Sequence, residues 1–312
     1  MVRAATLNLP AGLKSKADNA IRCLGVAVDR QAFTILGASG FIGRALVAWL
    51  ESGDHVVHAV TRASLPALLA SRRPAGHVID CVGITNDCRL CPLDTAEAHV
   101  GLVARCLTEL KSESFLLLSS TRVYAHAGAT HEDATLSALP SDPADLYNLT
   151  KLAGEALCLA DPRSTTRVAR LSDVYGMDMP AATFLGGVLH QGHATGTAMF
   201  HQSPASARDY VSVAAVARLL PAIASTGRHR LYNIAAGATT DHADIADRLR
   251  DIAGWQISFA FNAPTVRHPP IDTTRINNEF GPTCSDLLAD LPALLALGQE
   301  AQCSPSMRHM AA

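Results

Sequence analysis

In the stretch DLYNLTKLAGEA, Tyr147 and Lys151 stand four residues apart. On a helix that spacing puts both on one face, so an ammonium can sit beside a phenol. A neighbouring cation favours the phenolate form. Lowering a phenol's pKa from its usual value near 10 takes about 1.4 kcal/mol per unit. A tyrosine held this way can give or take a proton near neutral pH. Upstream, Ser119, Ser120 and Thr121 close the apolar run FLLLSST. A hydroxyl at the end of a strand can hydrogen-bond a substrate oxygen that is being oxidised or reduced. Y-x-x-x-K alone arises often by chance; a hydroxyl cluster and a glycine loop upstream of it make the set far more specific.

That glycine loop is GASGFIG, with Gly37, Gly40 and Gly43 separated by Ser39, Phe41 and Ile42. It ends the apolar run FTIL and opens the amphipathic run FIGRALVAWLESG. This is the context a dinucleotide-binding turn needs. Gly37 permits the tight turn, Gly40 lets backbone N–H groups approach a pyrophosphate, and Gly43 lets the helix pack close to the strand. The helix N-terminus adds about half a positive charge toward the phosphates. Gly37, Ser39, Gly40, Phe41, Ile42 and Gly43 are therefore expected to bind cofactor, together with Cys81, Val82 and Gly83 at the end of HVIDCVG. An oxidised nicotinamide there would add a second positive charge near Tyr147. The second strand ends AVTR, without the acidic residue that holds an adenosine ribose. Arg62 either pairs with a 2′-phosphate or lies over the adenine. The pattern favours NADP(H) over NAD.

These residues need a scaffold. Apolar runs at Phe33–Ala38, His55–Arg62, His77–Gly83, Ser114–Thr121 and Arg167–Gly176 read as strands. Helical spacing fills the gaps after Gly40, around Leu65–Ala70, over about Thr95–Lys111, and around Tyr147. Such alternation predicts an α/β fold, a doubly wound parallel sheet with helices on both faces. Ligands bind beyond the carboxyl ends of its strands. After Gly176 the rhythm loosens. RDYVSV, RLYNIAA and QISFAF read as strands; Val213–Ser225, HADIADRLRDIAG and DLLADLPALLAL read as helices. The expected organisation is an N-terminal arm over 1–30, then a dinucleotide-binding region over 31–176 with segments near 208–236 returning to it. A smaller substrate-binding α/β region takes 177–207 and 237–300, and a tail takes 301–312.

The 312 residues are 48% hydrophobic and 17% charged, with a net charge of -2. That is a globular composition, and its balance gives nucleic acid or an anionic membrane no hold. No apolar run approaches the roughly 20 residues that span a bilayer. The first residues lack the core of a signal peptide. A cytoplasmic protein is the expectation. The eight cysteines are scattered. Cys88 and Cys91 form one C-x-x-C without a second ligand pair, and His190 and His193 read as a helix face, so no metal is expected.

Together, GASGFIG, SSTRVY, YNLTK followed by Glu155, RLSDVYG, RDYVSV and LYNIAAG resemble the extended short-chain dehydrogenase/reductases. The closest likeness is to their NAD-dependent epimerase/dehydratase kind, which acts mostly on nucleotide sugars. The resemblance runs from about Phe33 to about Ala296. It implies Tyr147 as catalytic acid/base, Lys151 on the nicotinamide ribose, and Ser120 as the catalytic hydroxyl. It implies Arg208 on a substrate diphosphate, and it makes Arg267 and Arg275 weaker candidates for the same pocket. It also implies a homodimer through two helices, for which the apolar residues around Val100–Leu107 and Leu152–Leu159 are candidates. The alternative is that these residues only cover the sheet.

Several positions depart from the family. Its sugar dehydratases carry an Asp–Glu pair after the catalytic hydroxyl; Thr121 and Arg122 stand there, which argues against dehydration. Asp173 replaces a customary Asn and would repel a diphosphate unless a cation intervenes; a sugar hydroxyl or an amine is the alternative partner. The interval from Arg62 to His77 is too short for the usual third strand. Thr121, Asp173, Arg208 and Arg267 are the expected substrate contacts. Three functions fit: an epimerase that oxidises a nucleotide sugar transiently, a reductase spending external NADPH on a keto-sugar or other carbonyl, and a cofactor-binding protein without catalysis.

Overall fold

The computed structural model describes residues 30–84 and 88–303. The arm expected over 1–30 and the tail expected over 301–312 lie almost wholly outside the described residues. From Ala32 onward the chain forms one compact unit.

Strands β1 (Ala32–Leu36), β2 (Val56–Val60), β3 (Pro74–Asp80), β4 (Lys111–Ser120), β5 (Thr166–Leu171) and β9 (Leu231–Ile234) form one sheet in the order β2-β1-β3-β4-β5-β9. Every pairing in it is parallel. Parallel pairing needs crossovers, and helices supply them. The connecting helices are α1 (Phe41–Ser52), α2 (Leu65–Ser71), the pair α3 (Pro92–Ala96) and α4 (Leu102–Glu109), α5 (Leu146–Ala160) and α7 (Val213–Thr226). The chain leaves β1 toward β2 on one side and returns to β3 on the other. The β1/β3 boundary is therefore the switch point where such sheets open a crevice. Among the described residues no strand lies beyond β2, so the short interval before His77 does remove the usual third strand.

Each face of the sheet has its own core. Leu46 and Leu50 of α1 and Leu219, Leu220 and Ile223 of α7 pack on Phe33, Ile35, Ile79 and Leu116. Leu69, Leu102, Val103, Cys106 and Cys158 pack on the opposite face against Leu36, Val78 and Leu117. Each such side chain contributes about 1.5–3 kcal/mol when fully buried. Cys106 and Cys158 act here as small hydrophobes, and burial pushes both thiols up. Most of the apolar residues of α4 thus cover the sheet.

Three details differ from the sequence reading. The strand expected over Arg167–Gly176 is two strands, β5 and β6 (Asp173–Tyr175). The chain changes sheets at Ser172, because β6 pairs with β8 (Ala207–Ser212) and not with β4. The helix expected over about Thr95–Lys111 contains a π turn at Glu97–Gly101. The strand at His77–Gly83 also stops earlier, at Asp80, which frees Cys81–Gly83 to form a turn.

Beyond β6 a smaller set of elements follows: α6 (Phe184–Thr195), β7 (Thr197–Phe200), β8, β10 (Thr239–Asp241), α8 (His242–Ala253), β11 (Gln256–Phe259) and α10 (Leu287–Cys303), while α9 (Thr274–Phe280) packs on the core of the main sheet through Ile276. One sheet runs β10-β8-β6 and another β11-β7. Helices α6, α8 and α10 pack around Phe200, Tyr210 and Leu249.

Candidate active site

The carboxyl ends of β1, β3 and β4 converge on one cleft. At the end of β1, Gly37 has φ +72°, a left-handed conformation that favours glycine. A Cβ on it would come within 3.1 Å of the Cys81 carbonyl carbon. The glycine turn therefore lies directly on the turn that follows β3. A Cβ on Gly43 would come 2.2 Å from the Gly37 carbonyl oxygen, so only glycine lets α1 start this close to β1. Helix α1 has no side-chain cap and no acidic residue in its first turn. Its N-terminal N–H groups and positive dipole end are thus open to an anion. These features fit a dinucleotide's pyrophosphate, with Gly37, Ser39, Gly40, Phe41, Ile42 and Gly43 as the cradle. Arg62 is exposed just past the end of β2.

Tyr147 and Lys151 are both buried on α5. Lys151 Nζ donates to the Leu118 carbonyl of β4 at 3.0 Å and lies 5.9 Å from the centroid of the Tyr147 ring. It also sits 3.3 Å from where a Cβ on Gly83 would be. The ammonium is thus clamped between β4 and the Cys81–Gly83 turn, which places α5 against the turn that meets the glycine loop. Ser120 ends β4 and caps the short 3-10 turn Thr121–Tyr124, its Oγ accepting the Arg122 N–H at 3.2 Å. The Arg122 guanidinium in turn lies over the Tyr147 ring, 4.7 Å from its centroid. Ser120, Arg122, Tyr147 and Lys151 therefore form one contiguous group.

Three residues in or beside this group were not read as site residues from the sequence. Arg122 was legible only as a missing acid. His99 projects from the π turn, a distortion found mostly at functional sites. Its ring meets Tyr147 edge to face at 5.5 Å. The Ile84 N–H donates to His99 Nε2, which fixes the proton on Nδ1. Nδ1 then donates to Thr150 Oγ1 at 2.8 Å, and Thr150 passes its own proton to the Leu146 or Tyr147 carbonyl. Burial, with Lys151 nearby, pushes His99 down to about 3, so it stays neutral. Asp80 ends β3, wholly buried, and burial pushes it up to about 6 despite the Val82 N–H it accepts and Lys151 nearby. A carboxylate closing an apolar strand was a visible signal; nothing in the apolar run around His99 was.

Behind the site, Glu155 takes a fork from Arg170 of β5, with Nη2 to Oε2 at 2.6 Å, and accepts a hydrogen bond from the Ser119 hydroxyl of β4. Arg170 also donates to the Tyr124 hydroxyl at 2.7 Å, which donates to Asn233 Oδ1 at 2.9 Å. The chain of bonds ties α5, β4, β5 and β9 together.

The expected substrate residues lie at the entrance to the smaller region. Arg208 of β8 donates to Asp173 of β6 at 3.3 Å and to Gln202 at 3.2 Å. The cation needed beside Asp173 is therefore present. Arg208 also lies over Phe184. His268 stands near Arg208, Asp173 and Arg122, and burial, followed by Arg208, lowers it. Thr121 is half-buried directly after Ser120. Arg267 is more than half exposed, pairs with Asp241 at 3.0 Å and donates to the Ala205 carbonyl; its backbone bridges to Ala207 beside Arg208. Arg275 lies elsewhere, bound to Asp133 and the Leu231 carbonyl. Two clefts of about 380 and 480 Å³ border Arg275 and Glu132, and neither is lined by the glycine turn, Tyr147 or Lys151. Backbone approach and orientation, rather than an enclosed cavity, mark the cleft described above.

Among solved structures, MoeE5 in complex with UDP-glucose and NAD has a TM-score of 0.73 and 21% identity, over 87% of this chain and 99% of that one. RMD from Pseudomonas aeruginosa, complexed with NADPH, also has a TM-score of 0.73 and 21% identity, over 86% and 99%. A mutant UDP-glucuronic acid 4-epimerase from Bacillus cereus, bound to a fluorinated UDP-glucuronic acid and NAD, has a TM-score of 0.71 and 18% identity, over 88% and 100%. At these identities the likeness is one of fold. A search of the curated proteins finds no match. The model of the NAD dependent epimerase/dehydratase family matches residues 33–235. With that match over most of its length, the chain belongs to the NAD dependent epimerase/dehydratase family.

Proposed function

We propose that the protein is an NAD(P)-dependent epimerase of a nucleotide sugar, with Tyr147 as acid/base. The observation that carries this reading is the burial of Tyr147 between two cations, Arg122, whose backbone N–H bonds Ser120, and Lys151, which lies against the Cys81–Gly83 turn that meets the glycine turn. Gly37, Ser39, Gly40, Phe41, Ile42 and Gly43 would hold the pyrophosphate, with Cys81–Gly83 in the adjoining turn, and Lys151 would hold the nicotinamide ribose. When bound, the nicotinamide supplies a reversible hydride acceptor. Tyr147 takes the proton from a sugar hydroxyl and later returns it. Ser120 orients the reacting oxygen. Arg208 binds the diphosphate, and its bond to Asp173 keeps that carboxylate from repelling it. Solved relatives that hold UDP-glucose or a UDP-glucuronic acid analogue with NAD support this substrate class. A guanidinium where dehydratases carry a carboxylate speaks against loss of water.

Arg62 favours a second reading, a reductase of a keto-sugar that consumes NADPH, because an exposed guanidinium past β2 suits a 2′-phosphate. The absorbance of reduced nicotinamide during turnover separates the two. An epimerase leaves it constant and retains its cofactor through purification. Sustained NADPH loss, one per product, rejects epimerisation.

A further inference from the structure

The guanidinium of Arg122 is half-buried beside the reacting group. Every other buried or half-buried arginine among the described residues donates a side-chain hydrogen bond to a protein acceptor. Arg170 has Glu155, Arg208 has Asp173, and Arg230 has the Cys158 carbonyl. Among the described residues, Arg122 has only the face of Tyr147, and no carboxylate pairs with it. A cation held on a ring face keeps its edge N–H groups free, and those groups form a planar fork that matches a carboxylate. Leaving such donors unmatched as substrate closes the cleft costs more than matching them.

The surroundings point the same way. Arg122 and Arg208 both act on His268, with Asp173 the one carboxylate acting on it. Arg208 already engages that carboxylate. Among the described residues, Arg208 thus has an internal carboxylate and Arg122 has none. The fork of Arg122 is left for an anion that arrives with the substrate. The position of Arg122 over Tyr147 puts that anion on the sugar and not on the nucleotide.

We propose that Arg122 recognises a carboxylate on the substrate's sugar, close to the carbon whose hydroxyl Tyr147 deprotonates, and so selects uronic acids over neutral hexoses. This rests on the proposed function above and names its substrate class. Arg122 is then a specificity-determining residue of the site.

The test measures equilibrium binding of UDP-glucuronic acid and UDP-glucose to the full-length protein by calorimetry, with NAD and NADP(H) binding measured on the same preparation. Wild type is expected to bind UDP-glucuronic acid at least tenfold more tightly. Arg122→Met is expected to abolish that preference, since the fork that pairs with a carboxylate is removed. Arg122→Lys, which keeps the charge but not the fork, should retain part of the preference and guards against a misfolded methionine variant. Equal affinities in wild type, a preference that survives Arg122→Met, or failure of wild type to bind either compound would overturn the proposal. Failure of wild type to bind any dinucleotide would instead strike the proposed function itself.

Discussion

At the scale of single residues, the site depends on groups whose ionisation the fold controls. Asp80 is the sharpest case. Its rise from 3.8 to about 6 corresponds to about 3 kcal/mol against the ionised form. A carboxyl raised in the folded state contributes stability that is present below about pH 4 and lost as pH rises through about 6. Asp80→Asn keeps the oxygen that accepts the Val82 N–H and removes the charge. It is expected to unfold at higher urea than wild type at pH 7, by about 2–3 kcal/mol, and equally at pH 4. An identical difference at both pH values would reject the assignment. His99 and His242 act with the opposite sign. Burial pushes them down to about 3 and about 4, so the stability they contribute is complete above about pH 6.5 and lost as pH falls through those values. His242 stacks on Phe184 at 4.2 Å, and neither of its ring nitrogens has a hydrogen-bond partner. His242→Phe is expected to unfold less readily than wild type at pH 4.5, with little change at pH 7.5, in the same urea titration.

At the scale of elements, the pair on α5 works only because that helix is fixed in rotation and height. Glu155 fixes it, through Ser119 of β4 and Arg170 of β5. Glu155→Ala leaves a buried guanidinium without its counter-ion, a change that costs about 3–5 kcal/mol. Chemical denaturation should show that loss, and Glu155→Gln a smaller one. If Glu155→Ala unfolds like wild type, the bond network does not hold the helix. The elements themselves were largely legible. Period-two and period-3.6 apolar runs placed β1–β5, β8, β9 and β11 and helices α1, α2, α5, α7, α8 and α10 within a few residues. The break at Ser172 was not legible, because RLSDV stays strand-like while the chain changes sheets. The π turn was not legible either, since one extra residue in a helix leaves the apolar pattern nearly intact.

At the scale of the whole molecule, the parallel sheet decides where chemistry can occur. Its switch point lies between β1 and β3, and the glycine turn, the Cys81–Gly83 turn and the end of β4 all open there. The sequence named most of these residues because each sits at a strand end, where a change from apolar to glycine or hydroxyl is easy to see. Arg122, His99 and His268 were hidden because their roles depend on which elements fold back over the cleft. The absence of a strand beyond β2 leaves Arg62 at an exposed edge. That edge bears on cofactor choice: Arg62→Ala is expected to weaken NADP(H) binding about tenfold with NAD affinity unchanged, measured by titrating both. Equal losses for the two would remove the basis for a 2′-phosphate contact.

A crystal structure of the full chain grown with NAD or NADP(H) tests the central claim most directly. The expected density places the pyrophosphate on the Gly37–Gly43 turn, with the nicotinamide end beside the Tyr147 hydroxyl and Lys151 Nζ on the adjoining ribose. A dinucleotide bound elsewhere, or a Tyr147 hydroxyl turned away from the nicotinamide, would contradict it.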